Sequence, residues 1–283
     1  MGRILNIACL QTRPRAKLES ALDEALALAE EAVAAGGQLI ALPEYCGGLE
    51  IDGSKLMPPA RSEDNHPVLI GLKKFAKEKK VWIVIGSLAV KGLENKIFNR
   101  GFVVDDRGNI RNRYDKIHLF DVQLSKTEAY RESELLSAGN EAVLVETPVA
   151  VLGYSICYDL RFPGLYRDLA QAGAEILLVP AAFTKKTGEA HWHILNRARA
   201  IENNAFVVAP CAVGPVPGGG ECYGHSLIIN PWGKILADGG GENSAVVQTD
   251  IDLEEVIVAR KKIPSLSHDQ KFLLKDKTGG VLA

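Results

Sequence analysis

The chain has no strong excess of either charge. Lys and Arg total 33 against 35 Asp and Glu, a formal net charge of −2 over 283 residues. The basic residues are dispersed, so there is no electrostatic footprint for nucleic acid. No stretch approaches the ~20 apolar residues needed to span a bilayer. The opening Met1-Gly-Arg-Ile-Leu-Asn-Ile-Ala-Cys-Leu lacks the organisation of a secretory signal, and the expected compartment is the cytoplasm. Cysteine is sparse: the five, at 9, 46, 157, 211 and 222, include no Cys-x-x-Cys and no paired spacing. An odd, scattered set of this kind argues for reduced thiols rather than a disulfide framework. Gly218-Gly-Gly is followed by no Gly-Lys-Ser/Thr, which excludes a phosphate loop. No break in composition suggests a second domain.

What is present fits a compact α/β enzyme. With 47% hydrophobic residues a chain of this length buries a substantial core, often as one domain. Strand-like and helix-like runs alternate throughout. Residues 4–11 read as a strand, and 16–35 carry helical periodicity that Gly36-Gly37 closes. A strand at 39–42, a helix at 68–78 and a strand at 81–88 follow. In the second half a strand runs to residue 157, then come a helix at 165–172, a strand at 176–179, a helix at 190–203 and a strand at 205–209. Strands at 226–230 and 245–250 precede a helix near 253–262. Such alternation implies α/β layers without fixing the order of strands.

Three of these segments end in chemistry. Val149-Ala-Val-Leu-Gly-Tyr-Ser-Ile-Cys157 is apolar and β-branched until it stops at a thiol. A strand this apolar is buried on both faces, and in open α/β sheets ligands collect where such strands end. Cys157 is therefore a candidate nucleophile, although an inert core cysteine reads the same way. Leu39-Ile-Ala-Leu-Pro-Glu44 delivers a carboxylate at a strand end. Arg113-Tyr-Asp-Lys116-Ile-His-Leu-Phe-Asp121 places a lysine in an apolar and aromatic stretch. Singly, Glu44 reads as a turn carboxylate and Lys116 as half of a surface ion pair. Together, a thiol, a carboxylate and an ammonium form a coherent nucleophile, base and oxyanion stabiliser.

These motifs resemble the nitrilase superfamily of carbon-nitrogen hydrolases. The family's Glu, Lys and Cys match Glu44 in LPEY, Lys116 in YDKIHLFD and Cys157 in GYSICYDLRFP. The similarity extends from about Ile4 to about Pro264 and takes in Phe183-Thr-Lys-Lys-Thr-Gly-Glu-Ala-His-Trp192, Arg197-Ala-Arg-Ala-Ile-Glu202 and Tyr223-Gly-His-Ser-Leu-Ile-Ile-Asn-Pro-Trp-Gly233. The branch it most resembles holds omega-amidases and deaminated glutathione amidases. The resemblance implies a four-layer αββα sandwich over residues 1–264, with 265–283 as a tail near a partner subunit. It also places a further active-site glutamate at Glu132, with Glu128 and Glu134 in the same segment. The implied reaction is hydrolysis of a small carboxylate-bearing amide through a thioester, with no cofactor. The implied assembly is a homodimer or a larger even-numbered oligomer. An N-carbamoyl amino acid hydrolase and a catalytically silent scaffold are the alternatives.

For substrate contacts, Arg161 can hold a distal carboxylate through its forked donors or form a salt bridge to Asp159. Tyr158 and residues 183–188, Phe183 and Thr184 among them, are expected at the pocket wall, with His191 or Trp192 at its rim. No metal site is expected. His191, His193 and His225 suggest zinc, but helical residues two apart point in different directions.

Overall fold

The computed structural model describes residues 2–53, 55–92, 96–124, 129–278 and 281. Two six-stranded sheets lie face to face, each covered outside by helices. The strands of the first sheet are β1 (Ile4–Gln11), β2 (Leu39–Ala41), β3 (Trp82–Lys91), β4 (Ile97–Val104) and β5 (Ile110–Asp115). Those of the second are β6 (Leu144–Glu146), β7 (Val151–Tyr154), β8 (Ile176–Leu178), β9 (Phe206–Ala209), β10 (Leu227–Ile229) and β11 (Ile235–Asp238). A last strand, β12 (Ala245–Asp252), returns to the first sheet, giving the orders β12-β1-β2-β3-β4-β5 and β6-β7-β8-β9-β10-β11. The central strands β1, β2 and β3 run parallel, as do β7, β8 and β9, with antiparallel neighbours outside them.

Side-chain parity explains the layering. Ile7, Cys9, Leu39, Ala41, Val84 and Val103 join the second sheet in one core, while Ala8, Leu10, Ile40, Leu42, Ile83 and Phe102 pack in the other against helices α1 (Leu18–Ala34) and α2 (Pro67–Lys79). Successive strand residues point to opposite faces, so a strand buried on both reads as an unbroken apolar run. Ala25, Ala29 and Ala32 form the buried stripe of α1, at spacings that share one helix face. Helices α3 (Pro163–Gln171) and α4 (Lys185–Asn203) cover the second sheet, and α5 (Glu254–Lys262) follows β12. The result is the αββα sandwich. Glycine matters at one crossing between the sheets. A Cβ at Gly101 would stand 2.4 Å from the Tyr154 hydroxyl, which donates to the Ile85 carbonyl at 2.7 Å.

The fold differs from the sequence expectation at α4, which starts at Lys185 rather than residue 190. Thr-Lys-Lys-Thr-Gly resembles a loop, yet Gly188 lies within the helix, and it is glycine because a Cβ there would run into the Tyr223 ring. The glycine marks a close helix-to-hairpin contact, not a break. No helix among the described residues is long and apolar enough to cross a membrane.

Candidate active site

Glu44, Lys116 and Cys157 each follow the C-terminal end of a strand, β2, β5 and β7 respectively. They meet at the floor of one cavity, together with Glu132. The Lys116 ammonium lies 2.9 Å from Glu44 Oε1 and 2.8 Å from Glu132 Oε2, and all four side chains are buried. Of the candidate glutamates among the described residues, Glu132 is the one brought to the site. Glu134 is exposed, and Glu128 falls outside the described residues.

The chain holds each group by donors the sequence did not advertise. Glu44 Oε1 accepts from Asn99 Nδ2 at 2.8 Å, and Oε2 from the Ala182 N–H at 2.9 Å. Glu132 Oε2 accepts the Phe120 N–H at 2.8 Å. Cys157 opens a 3-10 turn, Cys157–Arg161, with its backbone at φ 49°. That left-handed conformation is unfavourable for a residue bearing a Cβ. Asp159, fully buried, secures the turn: it accepts the Ile156 N–H at 2.8 Å, the Tyr114 hydroxyl at 2.6 Å and the His118 N–H at 3.0 Å, and lies 2.7 Å from His118 Nδ1. Tyr114 and His118 flank Lys116, so this one carboxylate fixes the ammonium segment against the thiol segment. The residue was legible only as a partner for Arg161.

Electrostatics decide the resting protonation. Burial by itself would discharge Lys116, but the Glu132 and Glu44 carboxylates outweigh it and hold the ammonium well above the usual lysine range. Burial pushes Glu132 up despite Lys116. Burial, then the charge of Glu44, push the Cys157 thiol well up. The resting group is therefore a thiol, with the Glu44 carboxylate in the same cavity lining. The arrangement can deprotonate a sulfur as it attacks and present an ammonium to the oxygen that becomes negative.

The cavity walls are largely apolar. Leu49, Ile51 and Leu56 come from the loop after β2, Val216 and Cys222 from the hairpin Val213–Pro215/Glu221–Tyr223, and Phe120, Tyr130 and Tyr158 from the opposite side. Phe183 and Thr184 also line it, as expected. The free space is about 60 Å³, a few waters' worth at roughly 10–15 Å³ each.

Three expected contacts fall elsewhere. Trp192 is fully buried, packs on Phe183 and donates Nε1–H to the His225 carbonyl at 2.8 Å; it faces the core because its α4 position points at the sheet. His191 is exposed and lies 3.3 Å from Arg161. The Arg161 guanidinium sits over the outside of the Phe183 ring and does not line the cavity. Nor does it pair with Asp159, whose oxygens serve Ile156, Tyr114 and His118. Lys185 and Lys186, in the first turn of α4, line the recess that shares Tyr130, Thr184 and Glu221 with the cavity, and Lys185 lies 3.0 Å from Glu221. Both belong to the stretch 183–188 expected at the pocket wall.

A buried acid, ammonium and thiol lining one largely apolar pocket between two sheets fit a hydrolase-like α/β enzyme. The sequence profile of the carbon-nitrogen hydrolase family matches residues 6–261, and the chain belongs to that family. It is similar to the deaminated glutathione amidase of Dictyostelium discoideum, 44% identical over 69% of each chain, and to that of Synechocystis sp., 38% identical over 92% of this chain and 96% of that one. It is also similar to omega-amidase NIT2 of Bos taurus, 33% identical over 94% and 95%. Among solved structures, the C. elegans NitFhit protein superposes with a TM-score of 0.86 at 31% identity, over 95% of this chain and 66% of that one. Saccharomyces cerevisiae Nit3, of branch 10 of the nitrilase superfamily, gives 0.80 at 26% identity over 92% and 94%. The chain is thus a nitrilase-superfamily amidase, a hydrolase of carbon–nitrogen bonds other than peptide bonds.

Proposed function

We propose that this amidase hydrolyses a small carboxylate-bearing amide, of the omega-amidase or deaminated glutathione amidase type, through a thioester on Cys157. The observation that carries the reading is the Lys116 ammonium bridging Glu44 and Glu132 at 2.9 and 2.8 Å on the cavity floor that also holds Cys157. As the sulfur bonds to the amide carbon, its proton passes to Glu44. The carbonyl oxygen becomes an oxyanion held by an N–H of Lys116 and the Tyr158 backbone N–H. Glu44 returns the proton to the nitrogen, ammonia leaves and a thioester remains. Water then adds to the thioester with Glu44 as base, releasing the acid and restoring the thiol. Glu132 keeps Lys116 charged and aimed. Lys185, drawn from Glu221, meets the substrate's carboxylate at the mouth, the role that Arg161 was expected to fill. The apolar walls suit the aliphatic chain between the two ends.

The working form is a cytoplasmic homodimer or larger even-numbered oligomer. Phe272, Leu273 and Leu274 of the tail are 85, 75 and 58% exposed, and Ile194 of α4 is 70% exposed; such apolar surface is ordinarily covered in an interface. The test of substrate is ammonia release over α-ketoglutaramate, α-ketosuccinamate, deaminated glutathione, free glutamine and N-carbamoyl amino acids. Turnover of the first three supports the proposal. Equimolar carbon dioxide and ammonia from the carbamoyl compounds alone would replace it with a carbamoylase.

A further inference from the structure

We propose that His193, His225 and Asp238 form a binding site for one divalent transition-metal ion of the zinc class, outside the amidase site. The three come from separate elements: His193 from α4, His225 from the turn before β10, and Asp238 from the end of β11. Their ligand atoms all lie within 4.8 Å of one another. His193 Nε2 and His225 Nδ1 stand 3.0 and 3.2 Å from the same Asp238 oxygen, Oδ2. In a tetrahedral site with zinc–nitrogen bonds of about 2.0–2.1 Å, neighbouring ligand atoms stand about 3.3 Å apart. Two of the three edges are therefore already near their bound length, and only the edge between the imidazoles must close.

The residues are held in place independently of any ion. The His225 carbonyl accepts the buried Trp192 Nε1–H, and its ring stacks on Tyr223 at 4.5 Å between centroids. Asp238 Oδ1 accepts the Gly240 N–H at 2.9 Å. His225 also sits at φ 52°, a conformation a non-glycine residue keeps only where its surroundings impose it, and that backbone turns its ring toward the other two. Side-chain exposures of 29, 26 and 32% leave one side open for water, as three protein ligands require. Two imidazoles and a carboxylate suit zinc, cobalt or nickel and disfavour magnesium or calcium, which prefer oxygen. On binding, each imidazole gives up the proton it shares with Asp238, to its other ring nitrogen or to solvent. The ion would tie α4 to β11, through Trp192 and Phe183 to the cavity wall.

The sequence discounts this site because His191 and His193 diverge on a helix. They do diverge, His191 toward Arg161 and His193 toward Asp238, but His225 and Asp238 complete the set.

The experiment uses full-length protein carrying Cys157→Ala, which removes the thiol beside Glu44 and Lys116 as a competing zinc ligand. After chelation and dialysis, zinc is titrated and counted by elemental analysis, and cobalt is followed by its visible spectrum. The expected result is one ion per chain, with affinity at least about 100-fold weaker after His193→Gln or Asp238→Asn, and turnover of the otherwise unmutated His193→Gln enzyme unchanged. Should either variant fail to fold, histidine ring NMR of the Cys157→Ala protein decides: zinc must shift the His193 and His225 signals. Unchanged affinity in folded variants, no binding at millimolar zinc, or shifts confined to other histidines would overturn the proposal and leave a hydrogen-bonded cluster only.

Discussion

At the scale of single residues, the site is governed by one ammonium between two buried carboxylates. Removing Lys116 takes away an oxyanion donor, a loss of about 10²–10³ in kcat. It also strands Glu44 and Glu132 without their counter-charge, which costs about 3–5 kcal/mol of stability for a buried pair broken on one side. Lys116→Met is therefore expected to lower kcat with little change in KM and to lower the urea midpoint. Stopped turnover with an unchanged midpoint would show that the carboxylates do not depend on it. A second pair of residues separates the two views of substrate recognition. Lys185→Ala should raise KM for carboxylate-bearing amides about tenfold and leave short neutral amides unaffected, whereas Arg161→Ala should do neither, because Arg161 lies outside the cavity. The reverse outcome returns the carboxylate to Arg161. What the sequence revealed at this scale followed chemistry at strand ends: Glu44, Lys116 and Cys157 stand in motifs, and so does Glu132 by resemblance. Asn99 and Asp159 were hidden because each acts through a contact between distant segments, and Trp192 because its face of the helix is set by packing.

At the scale of elements, the strands were the most legible part. Residues 4–11 are β1 without adjustment, since burial on both faces leaves a continuous apolar signature. The two-residue strands Ile51–Asp52 and Lys55–Leu56 left none, yet Ile51 and Leu56 wall the cavity. Their position is set by docking on the Val213–Tyr223 hairpin, where Ile51 N–H donates to the Pro217 carbonyl at 2.8 Å. Helix α2 carries a testable pH dependence. His66 precedes its first residue, is fully buried, and has both ring nitrogens without a hydrogen-bond partner among the described residues. Burial, with Arg61 nearby, lowers its pKa from 6.5 to about 4. The folded state keeps His66 neutral where the unfolded chain is protonated, so stability is full above pH 6.5 and falls as pH drops toward 4. The loss attributable to this residue is about 2 kcal/mol between pH 7 and pH 5. Urea unfolding of the parent and of His66→Gln should differ by that change in slope, and identical pH profiles would contradict it.

At the scale of the whole molecule, two sheets each present candidate catalytic groups from the ends of their strands, and the site exists only where the sheets meet. Alternation of elements made the α/β class readable, whereas the pairing of the two sheets came from resemblance, because sheet order is a long-range property. Assembly is testable at this scale. On α3 Leu169 is buried, whereas large apolar side chains are exposed on α4 at Ile194 and Ile201, on α5 at Ile257 and Val258, and in the tail. Sedimentation should give an even-numbered oligomer, with truncation after Pro264 weakening association or activity; a fully active monomer at micromolar concentration, indifferent to truncation, would rule this out. The central claim is that amide cleavage passes through a thioester on Cys157. Its most direct test is intact-mass spectrometry of the whole chain, acid-quenched during turnover of the amide that the ammonia screen identifies, followed by peptide mapping. The account predicts one acyl group per chain, carried by the peptide containing Cys157, removed by hydroxylamine and absent from folded, inactive Cys157→Ala. Turnover by folded Cys157→Ala at a near-normal rate, or an acyl group on any other residue, would contradict it.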